Sequence, residues 1–282
     1  MTVGTEMELG TGPLDKLRTE LSAPVSYALP LGDAQVPLGP LIGTVLRLEF
    51  TGTITCCHCG RRSKSSFGQG YCYPCFKRLA QCDGCIVKPE TCHFHLGTCR
   101  EPEWAEGACM VPHIVYLANS SGLKVGITRA TQIPTRWIDQ GATQALPVLR
   151  VATRRVSGLA EVLFGQSVAD KTNWRLMLSG TATEIDLHAE AAKLLETHRA
   201  ALEDLRLQFG HSSVEALPEA GITCIDYPVQ AYPSKPQSLN LDKTPLIEGR
   251  LTGIKGQYLI FGNQVLNVRN FTSYHVRVSA VG

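Results

Sequence analysis

The chain of 282 residues has a formal net charge of +2, and 44% of its residues are hydrophobic. These values are typical of a globular protein. No apolar run approaches the roughly 18 residues that a membrane-spanning helix needs, so we expect no membrane insertion. The N-terminus lacks the basic start and apolar stretch of a secretory signal, which predicts a cytoplasmic location.

Positive charge is concentrated in the middle of the chain. Residues 56–100 contain seven Lys and Arg against two Asp and Glu, and residues 113–175 contain eight against three. A basic surplus confined to part of a nearly neutral protein indicates contact with phosphates. We therefore expect a nucleic acid, either DNA or RNA, as the partner.

The first predicted elements surround a cysteine-rich segment. Residues 1–40 are interpreted as an N-terminal lead-in with one short helix over residues 13–21. Residues 41–56 are rich in β-branched and apolar residues and are predicted to form two strands. After the cysteines, two apolar runs flank Asn-Ser-Ser-Gly at 119–122, which predicts a hairpin over residues 113–128.

Helical patterns follow near residues 133–141 and 157–170, and the clearest helix is predicted over 182–210, with Gly210 as its C-cap. The end of the chain is predicted to be β, with a Gly-Asn turn at 262–263. These strands either close the sheet of residues 41–55, which we favour, or form a small barrel that grips RNA. The sequence thus predicts an α+β fold in four segments: 1–40, 41–110, 111–235 and 236–282.

Ten of the eleven cysteines lie between residues 56 and 109. The spacing C-x2-C-x12-C-x2-C predicts a structural zinc site, because two facing CxxC turns complete a tetrahedron of thiolates. Disulfides rarely persist in the reducing compartment expected here. Cys57 and His58, which also lie in the first turn, are alternative ligands. The alternative cofactor for four thiolates is an iron–sulfur cluster. The predicted ligands are Cys56, Cys59, Cys72 and Cys75.

A second set of cysteines follows directly. Cys82, Cys85, Cys92 and either His95 or Cys99 are predicted to hold a second zinc ion. The alternative is a single zinc site, with the later cysteines buried as small apolar residues. Between the first pairs, Arg61, Arg62 and Lys64 accompany aromatic residues, a combination that suits phosphates and bases. The alternative for this loop is a solvated face of a zinc ribbon.

The predicted hairpin carries a resemblance. Ile114-Val115-Tyr116, followed after seven residues by Lys124-Val125-Gly126-Ile127-Thr128, resembles the paired-strand signature of the GIY-YIG nuclease superfamily. The order of Tyr116, Gly126, Arg136, Glu161 and Asn173 is similar to the order of its active-site residues. From about residue 40 to 280, with KVGITR, RWIDQGA, DKTNWR and GIKGQYL, the chain also resembles a bacterial family of unknown function with zinc-ligand cysteines ahead of a GIY-YIG-like domain.

This resemblance implies a zinc-ribbon-like segment followed by a small sheet flanked by helices, with additional strands at both ends of the chain. It implies that Glu161 holds Mg²⁺ and that Arg136 binds the phosphate. Tyr116 or Lys124 then transfers a proton. Ile114 and Lys124 depart from the pattern, since they replace its first glycine and second tyrosine.

Two Trp–Arg neighbours and three further arginines extend the predicted nucleic-acid surface. A tryptophan stacks on a base while the adjacent arginine holds a phosphate; the alternative is a core tryptophan beside a surface arginine. The residues are Arg129, Trp137, Arg154, Arg155, Trp174 and Arg175. Three functions remain open: a Mg²⁺-dependent nuclease, a non-catalytic protein that binds structured RNA or the ribosome, and a zinc-stabilised protein-interaction adaptor.

Overall fold

The structure is a computed structural model that describes residues 6–168, 173–180 and 182–282. Its strands are β1 Glu6–Pro13, β2 Arg18–Glu20, β3 Ser26–Leu31, β4 Ala34–Pro37, β5 Val45–Thr55, β6 Arg62–Ser63, β7 His113–Asn119, β8 Leu123–Arg129, β9 Gln144–Val151, β10 Val214–Ala216, β11 Thr223–Cys224, β12 Gln237–Ser238, β13 Leu246–Arg250, β14 Gly253–Lys255, β15 Tyr258–Phe261, β16 Gln264–Asn267 and β17 Tyr274–Val281. Its helices are α1 Tyr73–Arg78, α2 Pro102–Ala108, α3 Thr135–Asp139, α4 Arg154–Gly165, α5 Trp174–Leu178, α6 Leu187–Thr197 and α7 Arg199–Phe209. Over the described ranges, no helix combines the length and apolarity needed to cross a membrane.

The structure contains helices as well as strands, and the strands form several small sheets, which confirms the α+β class. The chain divides into two compact units. The first comprises Met1–Lys77, Leu178–Gly180 and Ile225–Gly282, and the second comprises Arg78–Met177 and Thr181–Cys224. The division into four segments stays a prediction.

The main sheet of the first unit joins the two ends of the chain. Its strand order is β1-β17-β5-β13, with β6 also pairing with β5. Strands β13 and β17 both pair antiparallel with β5, so the C-terminal strands close the sheet of residues 41–55 as we favoured. The side chains of Leu46, Leu48, Val276 and Val278 are fully buried between these strands and their neighbours.

Two predictions for the first unit are wrong. The segment predicted as a helix over residues 13–21 contains the end of β1 and strand β2 instead. The Leu17 N–H donates to Gln257 Oε1 at 2.7 Å, and Gln257 Nε2 donates back to Leu17 O, so a side chain distant in sequence takes the bonds that a helix would make internally. Residues 41–56 contain one strand, β5, instead of two, because Gly52 adopts a φ of +78° and the ladder continues across this irregularity.

The second unit contains the predicted hairpin. Strands β7 and β8 pair in register, with Tyr116 opposite Gly126, and the sheet order is β10-β9-β7-β8, with β11 also pairing with β9. One face of this sheet packs against helices α4, α6 and α7 through buried side chains such as Val115, Leu117 and Phe164. Period-two alternation therefore leaves Tyr116 and Lys124 on the opposite face.

The long helix predicted over residues 182–210 is two helices, α6 and α7, which His198 separates. His198 Nε2 lies 3.0 Å from Ser167 Oγ, and the imidazole centroid lies 5.7 Å from that of Phe164. Packing of one side chain against α4 thus interrupts a pattern that is continuous in the sequence. Helix α4 begins at Arg154, three residues before its predicted start, because the Thr153 side chain accepts a hydrogen bond from the Val156 N–H.

Candidate metal centre and phosphate-binding site

The first pair of cysteines lies on a tight turn that follows β5. The Cys56 N–H donates to Arg61 O at 2.8 Å, and the Gly60 N–H donates to Cys56 O at 2.9 Å. Gly60 has a φ of +69°, which a residue without a Cβ adopts readily. The turn holds the thiols of Cys56 and Cys59 within 4.8 Å of each other.

The second pair lies at the start of helix α1. The Phe76 N–H donates to Cys72 O at 2.9 Å, and this single turn places Cys72 and Cys75 on one side of the helix. Cys59 Sγ lies 3.7 Å from Cys72 Sγ. The ligand atoms of all four cysteines lie within 4.8 Å of one another, as the spacing predicted.

The electrostatics of this cluster favour a bound cation. Burial raises the pKa of the Cys56 thiol, but hydrogen bonds from the backbone of Cys59, Cys72 and His58 lower it to about 6. Burial and the surrounding cysteine sulfurs raise the pKa of Cys75 to about 12. A divalent cation offsets the repulsion among four thiolates, and a closed set of four sulfurs is the donor set of structural zinc. These four cysteines can hold a metal ion such as zinc.

The competing ligands of the first turn lie elsewhere. Cys57 and His58 are both exposed, and neither belongs to the group of close ligand atoms in this part of the described chain. The Cys57 N–H donates to Gly70 O at 2.8 Å, which fixes the turn from the side of the adjacent loop. Cys57 is therefore a suitable control position, because it is adjacent to Cys56 but does not belong to the cluster of ligand atoms.

The loop between the two pairs is basic and exposed. Arg61, Arg62 and Lys64 all lie on the surface. The aromatic residues pack on one another, with the ring of Phe67 5.5 Å from that of Tyr73 and 6.0 Å from that of Phe76. This loop therefore presents cations to solvent, beside an aromatic cluster of which Tyr73 is 55% exposed.

Tyr116 is the central residue of the second candidate site, on the hairpin of the second unit. Its side chain is fully buried, and its hydroxyl donates to Gln140 Oε1 at 2.8 Å. A Cβ on Gly126 would lie 2.7 Å from this hydroxyl, so the glycine opposite Tyr116 makes room for the phenol. Burial raises the pKa of Tyr116 to about 12, so the phenol stays protonated at neutral pH.

Arg136 and Glu161 both interact with Tyr116. The charge of Arg136, on α3, and its side-chain hydrogen bond lower the pKa of the Tyr116 phenol. The charge of Glu161, on α4, raises that pKa. Lys124 is 6% exposed and lies opposite Ala118 on the same face of the sheet as Tyr116. The structure therefore brings these predicted residues to one region of the second unit.

Further arginines surround this region. Burial lowers the pKa of Arg154, and the positive charges of Arg136 and Arg129 lower it further. Burial also lowers the pKa of His113 to about 4, with Arg154 and Arg129 contributing in the same direction. The charges of Arg129, on β8, and Arg136, on α3, thus both act on Arg154, at the start of α4. Such a cluster of cations is an arrangement that an anion stabilises.

The sequence model of a family described as "Protein of unknown function (DUF2797)" matches residues 43–276. The chain belongs to this family. No curated protein and no solved structure matches the chain. The family agrees with the predicted resemblance to a family of unknown function.

In this DUF2797 protein, one predicted nucleic-acid contact, that of Trp137, needs correction, and Arg155 has a partner within the chain. Trp137 is 2% exposed, and its ring meets that of Tyr116 edge to face with centroids 5.9 Å apart, so it presents no face on which a base can stack. The guanidinium of Arg155 lies 5.4 Å from the centroid of Phe209, and its buried Nε has no hydrogen-bond partner in the described part of the chain. Trp137 is therefore a core residue, and Arg155 packs against α7.

The second Trp–Arg pair is more accessible. The Arg175 guanidinium lies over the Trp174 ring at 4.4 Å, and Arg175 is exposed. Asn173 caps helix α5, since its Oδ1 accepts from the N–H groups of Arg175 and Leu176. Residues 170–172 of the DKTNWR motif lie outside the described residues.

The structure brings together part of the predicted second ligand set, whose role as a zinc site stays a prediction. Cys85, Cys92 and Cys99 line one cavity, whereas Cys82 and His95 do not line it. Cys109, which the spacing did not single out, lines the cavity as well. Cys109 lies ten residues after Cys99 and directly after α2, so only the folded segment shows that it belongs with the others.

Proposed function

We propose that this DUF2797 protein is a zinc-containing nucleic-acid-binding protein whose second unit binds a backbone phosphate beside Tyr116. The convergence of Arg129, Arg136 and Arg154 on one region carries this proposal, because like charges gather at a cost unless an anion offsets them. The exposed loop of Arg61, Arg62 and Lys64 in the first unit supplies a second basic surface. Neither surface requires base-specific contacts, so structured nucleic acids of several sequences are expected to bind.

The state of Tyr116 supports binding over catalysis. A phenol with a pKa of about 12 donates a hydrogen bond at neutral pH and does not act as a base. Lys124, which replaces a tyrosine in the pattern of the resembled superfamily, adds a cation to the same face of the sheet. The site thus resembles a divergent GIY-YIG-like site rich in phosphate-binding groups.

Binding is tested with duplex DNA, single strands and structured RNA over a salt series. We expect salt-sensitive binding, and the variant Arg136→Ala should weaken it about tenfold and reduce the salt slope by about 1. The matched control is Arg199→Ala, since Arg199 is an exposed arginine on α7 that pairs with Glu196. No retention of any nucleic acid at low salt would contradict the proposal and favour the adaptor function.

A second candidate function is Mg²⁺-dependent phosphodiester cleavage, which the proximity of Tyr116, Arg136 and Glu161 favours. Glu161 is a hard oxygen ligand for Mg²⁺, Arg136 offsets charge on the phosphoryl oxygens, and Lys124 or the phenol moves a proton. Cleavage that requires Mg²⁺ and disappears in Glu161→Gln supports this function. Binding without cleavage in the presence of Mg²⁺ contradicts it and leaves the first proposal intact.

A further inference from the structure

The segment between residues 79 and 110 has little apolar core of its own. It consists of four 3₁₀ helices of three residues each, at Ala80–Cys82, Gly84–Ile86, Pro89–Thr91 and Phe94–Leu96, and of helix α2. Its buried apolar cluster comprises Ala105, Ala108 and Cys109, with a few partly buried neighbours. Segments of this kind are usually stabilised by a metal ion or by disulfides. The cysteines here are free thiols.

A cavity of about 10 Å³ lies inside this segment, which is close to the space that a single water-sized atom needs. Four thiols line it, and they come from four different places along the segment. Two of them, Cys92 and Cys109, are buried, and two, Cys85 and Cys99, are half-buried.

The thiols of Cys85, Cys92, Cys99 and Cys109 all line this one cavity, although they come from separate turns of the segment. Four thiolates around one small space form the donor set that a structural zinc ion prefers.

Two arginines lie beside the cavity. Arg100 lines it and donates from Nε to Asp83 Oδ2 at 2.6 Å. Arg154 donates from Nη2 to Ile86 O at 2.6 Å, and its charge acts on Cys85 and Cys109. A zinc ion with four thiolates has a net charge of −2, which Arg154 partly offsets, whereas the charge of Arg100 is paired with that of Asp83.

We propose that Cys85, Cys92, Cys99 and Cys109 bind a second zinc ion in this cavity. Asp83 and His93 then support the site without binding the metal. Asp83 Oδ1 accepts from the Cys85 N–H at 3.3 Å, and His93 Nδ1 lies 2.7 Å from Thr98 Oγ1. Both contacts fix the turns that carry the thiols, as the outer groups of metal sites commonly do.

A competing ligand set exists in the same place. The ligand atoms of Asp83, Cys85 and His93 lie within 4.8 Å of one another. We disfavour this set because the Asp83 carboxylate already pairs with Arg100, so that a metal ion bound to Asp83 would compete with a close, half-buried ion pair.

The proposed ion connects the cysteine segment to the phosphate-binding region of the same unit. The Arg154 N–H donates to Cys109 O at 2.8 Å, so the last ligand holds the first residue of α4. Gly158 packs against the turn at Pro89 and Glu90 so closely that a Cβ would lie 2.5 Å from Glu90 N. Loss of this zinc should therefore weaken nucleic-acid binding as well as stability.

The ligand set is tested by elemental analysis of the full chain and its variants. We expect two zinc ions in the natural protein, one in Cys99→Ser and in Cys109→Ser, and two in Cys82→Ser and Cys224→Ser. Cobalt substitution should give the intense absorption of thiolate-rich sites, reduced by about half in Cys109→Ser. One zinc in the natural protein, or a loss caused by Cys82→Ser or His93→Ala but not by Cys109→Ser, overturns the proposal.

A second measurement covers the case in which Cys109→Ser does not fold. The natural chain is alkylated with iodoacetamide before and after chelation, and the modified cysteines are mapped by mass spectrometry. Chelation should expose the four proposed ligands together, while Cys82 reacts to the same extent in both states. The proposal is overturned if Cys82 becomes reactive only after chelation while Cys109 reacts equally in both states. It is also overturned if the protein contains iron with labile sulfide in place of zinc.

Discussion

The two cysteine regions of this protein differ in how their thiols come together. In the first, two CxxC turns each present two thiols, and all four ligand atoms lie within 4.8 Å of one another. In the second, one CxxC turn contributes only Cys85, and the remaining thiols around the cavity come from separate turns and from the end of α2. Local spacing therefore determines the first site, whereas the second depends on the fold of about 30 residues.

The surroundings of the two clusters differ in the same way. The first is supported by local backbone hydrogen bonds to the Cys56 sulfur. The second is supported by the side chains of Asp83, Arg100 and Arg154, two of which reach it from outside the CxxC turn. We expect the first site to tolerate changes in neighbouring elements and the second to depend on them.

The largest expected effect comes from breaking the first site. Cys72→Ser opens the tetrahedron of thiolates, so we expect loss of one zinc ion and a decrease of at least about 4 kcal/mol in the free energy of unfolding. Zinc analysis and denaturant unfolding measure both quantities. The matched control is Cys57→Ser, which changes an exposed neighbour of the ligands and should alter neither. A stable Cys72→Ser protein with its full zinc content would contradict the assignment of this ligand.

The next largest effect should come from a substitution that disturbs the packing of the second region against α4. Gly158→Ala places a Cβ against the backbone of Pro89 and Glu90. We expect it to lower the free energy of unfolding by about 2 to 3 kcal/mol. Denaturant unfolding measures the change.

The control for this substitution lies on the same helix. Among the described residues, apart from its chain neighbours and its own helix backbone, no atom lies within 4 Å of a Cβ built on Gly165. Gly165→Ala should therefore raise the free energy of unfolding by about 0.5 to 1 kcal/mol through helix propensity. Equal responses of the two variants would show that the turn at Pro89 does not constrain α4.

The smallest expected effect is a pH dependence of the free energy of unfolding, which His113 beside the second region should cause. The pKa of buried His113 is about 4 in the folded chain and about 6.5 when unfolded, so the unfolded chain binds the proton first on acidification. This residue therefore lowers the free energy of unfolding as the pH falls below 6.5, by about 1 kcal/mol between pH 6.5 and 5.5. His113→Gln should remove that part of the slope, and an unchanged slope would show that His113 is not buried in its neutral form.

Much of the fold follows from local patterns in the sequence. The hairpin of β7 and β8 and the turn at 262–263 were predicted because their apolar runs and turn residues are adjacent in the chain. The helix predicted over residues 13–21 failed because Gln257 bonds the backbone of Leu17. The break at His198 was missed because its contact with Ser167 is likewise a tertiary one.

In the candidate sites too, local sequence patterns predict local contacts but not tertiary ones. The close approach of Cys56, Cys59, Cys72 and Cys75 was predicted in full, since both CxxC turns are local. The position of Cys109 beside the later thiols was missed, because nothing near it in the sequence indicates it. The grouping of Tyr116 with Arg136 and Glu161 was implied by a resemblance, but the burial of Tyr116 and its bond to Gln140 depend on packing that the pattern does not encode.

Thiol-bound metal should stabilise both cysteine regions, whereas the sheets rely on apolar packing. Hydrogen–deuterium exchange of the full chain before and after zinc removal distinguishes the two. We expect zinc removal to cause much faster exchange over residues 56–76 and 79–110, with strands β7 and β9 still protected. Unchanged exchange in both cysteine regions would show that no metal stabilises them.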